Sequence, residues 1–229
     1  MLNNFESQGY CLISSSYLVE QMAKIRSIFE SSYLTKFNED PIFNRQIIKL
    51  LTNDLLVKSF FLSDEIINSV KNAGLRYPIS SGPLVSHYTG KDLTGGGYGL
   101  GFHQDYPSMA GSKNSVIVWS SIYDTNPDTH GISVVPASHK IGLHPGTQTE
   151  RGYLVGQVDE SSVKFIHIQA GDILIMSAYL LHATYINPVA TKPKLSLSAR
   201  FDDFESKEWQ KRGYISAYST MVDRDAYLK

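Results

Sequence analysis

Apolar residues recur at helical spacing through the first third of the chain, then give way to short alternating or wholly apolar runs. Leu18, Met22, Ile25 and Phe29 share one face of a 3.6-residue period, and Ser15 and Ser16 stand where a capping hydroxyl belongs. That spacing predicts a helix from Tyr17 to about Phe29. Leu55, Leu56, Phe60, Ile66, Ile67 and Val70 predict a second helix over about 53–73, with Asn38-Glu39-Asp40-Pro41 as a loop between the two. From about Tyr77 the pattern changes. Runs at 83–88, 115–119, 132–136, 163–168, 173–181 and 195–201 are short, mostly rich in β-branched and aromatic residues, and divided by Gly, Pro, Asn and Asp. Strands spaced in this way predict a mainly β protein with flanking helices, whose core is a double-stranded β-helix of the jelly-roll, cupin-like kind. No internal repeat or low-complexity linker interrupts the chain. One domain over 1–229 is therefore expected: a helical region of about 1–76 packed on a β core of about 77–203. A tail over 204–229 follows, with a short helix at 207–211.

Composition narrows the partners. The 229 residues are 42% hydrophobic and carry a formal net charge of −1, so neither nucleic acid nor an anionic membrane is an expected partner. Cys11 is the single cysteine, which leaves no intramolecular disulfide and no cysteine-based zinc site. The first residues lack the basic and apolar regions of a signal peptide, and no apolar run has the length of a bilayer-spanning helix. A cytoplasmic protein acting on a small molecule is the expectation.

The chemistry concentrates in His103-Gln104-Asp105 and His182. Two imidazoles and one carboxylate form the donor set of the facial triad that holds non-haem Fe(II) and leaves positions open for a co-substrate and O₂. Residues two apart in an extended segment point to the same side, so His103 and Asp105 can grip one ion from one strand end. His182 arrives at the end of the run Ile173–Leu181. Zn(II) accepts the same ligands. Gln104 points away from the pair in a regular strand, but could reach a co-substrate in a twisted one. Trp119, on the next run, suits either a pocket wall or the core. The glycines at 95–97, 99 and 101 precede no helix start and no Gly-Lys-Ser/Thr, so they suit a flap or a hairpin turn better than a phosphate cradle. His87, His130, His144 and His167 belong to no motif.

Five segments in order extend this picture: His103-Gln104-Asp105, Pro136-Ala137-Ser138-His139, Gly171-Asp172, His182-Ala183-Thr184 with Asn187, and the strand from Lys194 to Phe201. Their succession resembles the phytanoyl-CoA dioxygenase-like family of Fe(II)/2-oxoglutarate oxygenases over about 80–201. The resemblance implies oxidation of a small organic molecule, most often hydroxylation, coupled to conversion of 2-oxoglutarate to succinate and CO₂ by O₂. It also implies that His103, Asp105 and His182 hold Fe(II), and that the Thr184 hydroxyl bonds the co-substrate. Asp105 disfavours the halogenase variant, which gives that position to a halide. The Pro-Ala-Ser-His turn, where the family carries Pro-Gly-Ser-His, is implied to be structural.

The family's arginine anchor for 2-oxoglutarate is replaced here by Lys194, twelve positions beyond His182, and Arg200 lies eighteen beyond. Both have the parity to face inward. Six residues separate them, or roughly 20 Å at about 3.3 Å per residue, so only one is expected to reach the co-substrate. Spacing favours Lys194; the planar fork of Arg200 is the better match for a carboxylate. A non-catalytic ligand-binding jelly-roll and a cupin-like metal enzyme that does not use 2-oxoglutarate are the alternatives.

Overall fold

The computed structural model describes residues 2–90, 99–109, 111–149 and 152–213. Glycines 95–97, and the tail beyond 213, lie outside them.

The chain begins with α1 (Leu2–Gln8) and β1 (Tyr10–Ile13), then α2 (Ser16–Ile28). Ser15 caps α2 as its sequence position predicts, its hydroxyl accepting from Leu18 N at 3.2 Å. Leu18, Met22, Ile25 and Phe29 are all buried. A π-helical turn at Phe29–Tyr33 and a 3₁₀ turn at Leu34–Lys36 follow. Next come α3 (Pro41–Leu51), α4 (Leu55–Phe61) and α5 (Asp64–Asn72).

Two features here differ from expectation. The stretch 38–41 is not only a loop: Asp40 caps α3 through Ile42 N at 2.8 Å, and Pro41 takes the first helical position. The pattern conceals α3 because Ile48 and Leu51 are its buried residues, whereas Ile42, Phe43 and Leu50 are exposed. The helix expected over 53–73 is two helices, broken at Leu62-Ser63.

The strands are β2 (Pro78–Ser80), β3 (Val85–Thr89), β4 (Val116–Ser121), β5 (Gly131–Val134), β6 (Thr147–Thr149), β7 (Gly152–Leu154), β8 (Lys164–Phe165), β9 (Ile173–Ser177), β10 (His182–Tyr185) and β11 (Lys194–Asp203). A short α6 (Tyr106–Met109) precedes β4, and α7 (Lys207–Lys211) follows β11 at its expected place. The large antiparallel sheet has the order β1-β9-β4-β11-β2, with β3 also on β11. The opposing sheet is built from β10-β5-β8 and the β6-β7 hairpin. His103 bridges Leu154 on one side and His182 on the other, so it joins those two pieces. The result is a mainly antiparallel β sandwich of the jelly-roll class with helices against one face.

Period-two alternation assigns the two faces of the large sheet. Val116 and Val118 of β4, Ile173 and Ile175 of β9, and Leu195, Leu197, Ala199 and Phe201 of β11 pack with the helices in one apolar cluster. Ile117, Trp119, Leu174 and Met176 point the other way and meet Ile132 and Val134 of the opposing sheet. Because both faces are buried, β4 and β9 read as continuous apolar runs with no visible alternation. The run 173–181 does not stay in one sheet. It turns at 178–181, Leu180 N bonding Ser177 O at 2.9 Å, and β10 starts in the opposing sheet at His182.

Gly171, ahead of β9, shows why a Gly-Asp pair sits there. Its φ is +96°, and a Cβ would stand 2.6 Å from Val19 Cα in α2. Asp172 fastens the same corner by accepting from Ser14 Oγ at 2.6 Å. Gly171→Ala is expected to lose about 2–5 kcal/mol, combining left-handed strain with overpacking against helix backbone. Urea denaturation checks this; a loss below about 0.5 kcal/mol would contradict the close approach.

Candidate metal centre

His103 and His182 form a hydrogen-bonded antiparallel pair. Each backbone N–H donates to the other's carbonyl, at 3.0 and 3.1 Å. Directly opposed residues project to the same face of a sheet, and the two imidazoles lie 4.1 Å apart between centroids. Further ties hold the 103–106 segment to the corner before β10. Tyr106 N donates to Ala178 O at 3.0 Å, and the Tyr106 ring stacks on Tyr179 at 4.2 Å. The Gln104 carboxamide donates to Tyr179 O and Gly142 O and accepts from His144 N.

These bonds correct the assignment of Gln104 to the co-substrate. It is buried on the side away from His103, and its carboxamide is spent on three backbone partners. The Pro-Ala-Ser-His turn braces the same corner, since Ser138 Oγ accepts from Leu181 N at 2.9 Å. Ala137 there has φ +64°, a left-handed conformation that glycine would adopt without strain.

The ring hydrogen bonds fix the tautomers. Nδ1 of His103 faces Gly101 O at 2.8 Å, and Nδ1 of His182 faces Leu180 O at 3.0 Å. A carbonyl only accepts, so each Nδ1 carries the proton and each Nε2 presents a lone pair. The Nε2 atoms stand 3.5 and 3.9 Å from Asp105 Oδ1. One ligand atom from each residue lies within 4.8 Å of the others, so the three can hold one metal ion. Donors about 2.0–2.2 Å from one ion, at right angles to one another, would be roughly 3 Å apart, so the three would draw together by about 0.5–1 Å from the 3.5 and 3.9 Å seen on binding it. Burial, with the neighbouring His103, pushes His182 down to about 4, keeping it neutral and ready to ligate. For Asp105, burial raises the pKa, but Arg200 and the two histidines outweigh it and hold the carboxyl well below its usual range.

β11 supplies the floor of the cavity beside these residues. Lys194, Ser196, Ser198 and Arg200 all line it, as do Trp119 and Thr184. Both cations border the cavity, because the inward face of β11 from Lys194 to Arg200 floors it; which of them meets a co-substrate is a separate matter that their partners bear on. Their situations differ. Arg200 donates through Nη2 to Asp105 Oδ2 and through Nη1 to Ser198 Oγ, both at 2.9 Å. Lys194 is 3% exposed, with Nζ 3.3 Å from Gly131 O and 6.0 Å from the Trp119 ring centroid. Among the described residues no carboxylate pairs with it, and burial lowers its pKa to about 8. Trp119 is at once wall and core.

Thr184 Oγ1 accepts from Leu100 N at 3.2 Å, and Gly99, at φ +80°, lets the backbone pass close over that side chain. His87, set aside in the sequence for want of a motif, lines the cavity from β3 opposite Ser196. Its inward parity on the strand paired with β11 was the available signal. Its side chain stays exposed at the edge of the cavity.

The fold is shared with solved structures of low identity. The epimerase SnoN in complex with Fe³⁺, alpha ketoglutarate and nogalamycin RO superposes with a TM-score of 0.62 at 15% identity, covering 88% of this chain and 82% of that one. The non-haem monooxygenase ThoJ gives 0.63 at 15%, over 88% and 76%. EctD from S. alaskensis with 2-oxoglutarate and 5-hydroxyectoine gives 0.57 at 12%, over 88% and 74%. No curated protein matches the chain. The phytanoyl-CoA dioxygenase (PhyH) family profile matches residues 5–188, most of the sequence, and the chain belongs to that family.

Proposed function

We propose that this protein is a non-haem Fe(II)- and 2-oxoglutarate-dependent oxygenase that hydroxylates a small organic molecule. The observation that carries the reading is Lys194, a buried ammonium without a carboxylate partner among the described residues, in the same cavity as two imidazoles and a carboxylate. A charge buried in that way is costly until an anion meets it. The donor set fits Fe(II), since His103 and His182 present Nε2 lone pairs and Asp105 is ionised. Zn(II) fits the same atoms, but membership of a dioxygenase family favours iron. Two similar folds, SnoN and EctD, carry 2-oxoglutarate and support the co-substrate, and ThoJ is described as a non-haem monooxygenase.

When bound, Fe(II) supplies O₂ activation coupled to oxidation of 2-oxoglutarate to succinate and CO₂. The chain's own residues set the conditions. Lys194 neutralises the distal carboxylate of the co-substrate, and Thr184, whose oxygen already accepts from Leu100 N–H, has a proton left to donate. Trp119 walls the cavity and, with Ile117, Ile132 and Met176, keeps water from the reacting carbon. Neither nucleic acid nor membrane enters the scheme, and among the described residues no helix is long and apolar enough to cross a membrane.

Fe(II)-dependent succinate release, stimulated by one member of a metabolite panel, tests the reading against a non-catalytic binder and against an enzyme that needs no 2-oxo acid. His182→Ala removes one of three donors while its backbone pair with His103 stays available. Metal affinity and succinate release are expected to fall by about a hundredfold or more, with the circular dichroism spectrum kept. Unchanged Fe(II) affinity in that variant would remove the metal assignment.

Lys194 gives a pH signature. Binding a dianion favours the ammonium, so the complex holds the proton to higher pH than the free protein, where the group titrates at about 8. Affinity for 2-oxoglutarate is expected to be flat below pH 8 and to fall above it, approaching about tenfold per pH unit. Lys194→Ala is expected to weaken binding by roughly a hundredfold, about 3 kcal/mol, and to abolish that slope. Anaerobic titration of the Fe(II)-loaded proteins between pH 7 and pH 9.5 decides it: equal affinity at both ends in the wild type would argue against lysine as the anchor.

A further inference from the structure

Arg200 is more closely tied to the metal residues than a second co-substrate anchor would be. Its Nη2 holds Asp105 Oδ2 at 2.9 Å, and its Nη1 is braced by Ser198 Oγ two residues back on the same strand face. The other oxygen of the same carboxylate, Oδ1, is the one near both imidazole Nε2 atoms. The two oxygens of Asp105 are thus divided between two tasks.

We propose that Arg200 is a positioning residue that holds Asp105 as a one-oxygen ligand, with Oδ2 retained by the guanidinium and Oδ1 offered to the metal. This rests on the metal reading of the preceding section. The physical need is clear from the carboxylate itself. The χ2 torsion of aspartate is broad, and carboxylates bind cations through either one or two oxygens. If Oδ2 swung onto the ion, Asp105 would occupy a further position, one of those a facial triad leaves open for co-substrate and O₂. A buried guanidinium bonded to Oδ2 prevents that rotation, and Ser198 prevents the guanidinium from following the carboxylate. Lys194, at the other end of the same strand face, is left as the cation free for the co-substrate. The two cations that the sequence presents as competitors for one task therefore have different tasks.

Metal binding measured without 2-oxoglutarate separates these roles, because a residue that only anchors the co-substrate holds none of the metal ligands in place. Co(II) is titrated anaerobically into wild type, His182→Ala, Arg200→Gln, Arg200→Lys, Ser198→Ala and Lys194→Ala, reading affinity and the visible ligand-field spectrum. Arg200→Gln is expected to bind Co(II) about 10–100-fold more weakly and with an altered spectrum, as outer partners of metal ligands generally do. Arg200→Lys, which keeps one charged donor, is expected to recover part of the affinity. Ser198→Ala, which leaves the Asp105 contact in place, is expected to lose less, and it serves as the test should Arg200→Gln fail to fold. Lys194→Ala, which removes a cation from the same cavity without touching Asp105, is expected to keep the wild-type spectrum and to bind Co(II) no more weakly.

Wild-type affinity and spectrum in Arg200→Gln would overturn the proposal. So would a wild-type spectrum in Ser198→Ala if that were the only variant to fold. A wild type without a Co(II) site sensitive to His182→Ala would instead overturn the metal reading of the preceding section, and this proposal with it.

Discussion

The alternation of β11 is the constraint on which both fold and site depend. Leu195, Leu197, Ala199 and Phe201 join the cluster beneath the helices, while Lys194, Ser196, Ser198 and Arg200 line the cavity. A one-residue slip in register would exchange the two sets, placing two cations in an apolar cluster and four apolar side chains in the cavity. The strand is pinned against such a slip by pairing with β2, β3 and β4. Burying each large apolar side chain contributes about 1.5–3 kcal/mol. The helical face thus stabilises the register that holds charged groups inside.

Those charges are tolerated for different reasons. Arg200 and Asp105 form a buried, hydrogen-bonded pair, and such a pair is costly to break because the surviving partner is left uncompensated. Lys194 has a carbonyl and the face of an indole, which only partly offset its desolvation. The polar face of β11 is therefore graded from a cation paired with a carboxylate at the metal end to one with no carboxylate partner among the described residues at the far end. That gradient gives the cavity a direction: a ligand with a chelating end and a distal carboxylate fits it one way round.

Much of this was legible in the sequence because it depends on short-range rules. The cap at Ser15, the apolar stripe of α2, the short helix at 207–211 and most of the strands follow from local period and turn chemistry. What escaped depends on tertiary context. β1 has only four residues and pairs with β9 from the far end of the chain. In α3 few side chains are buried, so its stripe is faint and only Asp40-Pro41 signals its start. The break of the 173–181 run is invisible because Leu180, Leu181 and His182 are buried on both sides of a sheet change. Among the site residues, the donor set stood out by residue type and spacing. Assigning Gln104 to the co-substrate failed because its three backbone partners come from segments 38–75 residues away, which no local pattern reports.

Lys194 and Arg200 differ in their partners rather than in access to the cavity. Distance along a strand is not by itself distance from a co-substrate. A strand that floors a cavity along its length offers every second residue to the same ligand. Position then decides the task of each cation, and its existing partners show which task is already filled. Arg200 is bonded to a carboxylate of the protein, and Lys194 has no carboxylate partner among the described residues. In a buried site the cation without a counter-ion points to the ligand's charge more directly than the one with the better fork geometry, because an unmet charge in low dielectric is the larger energy.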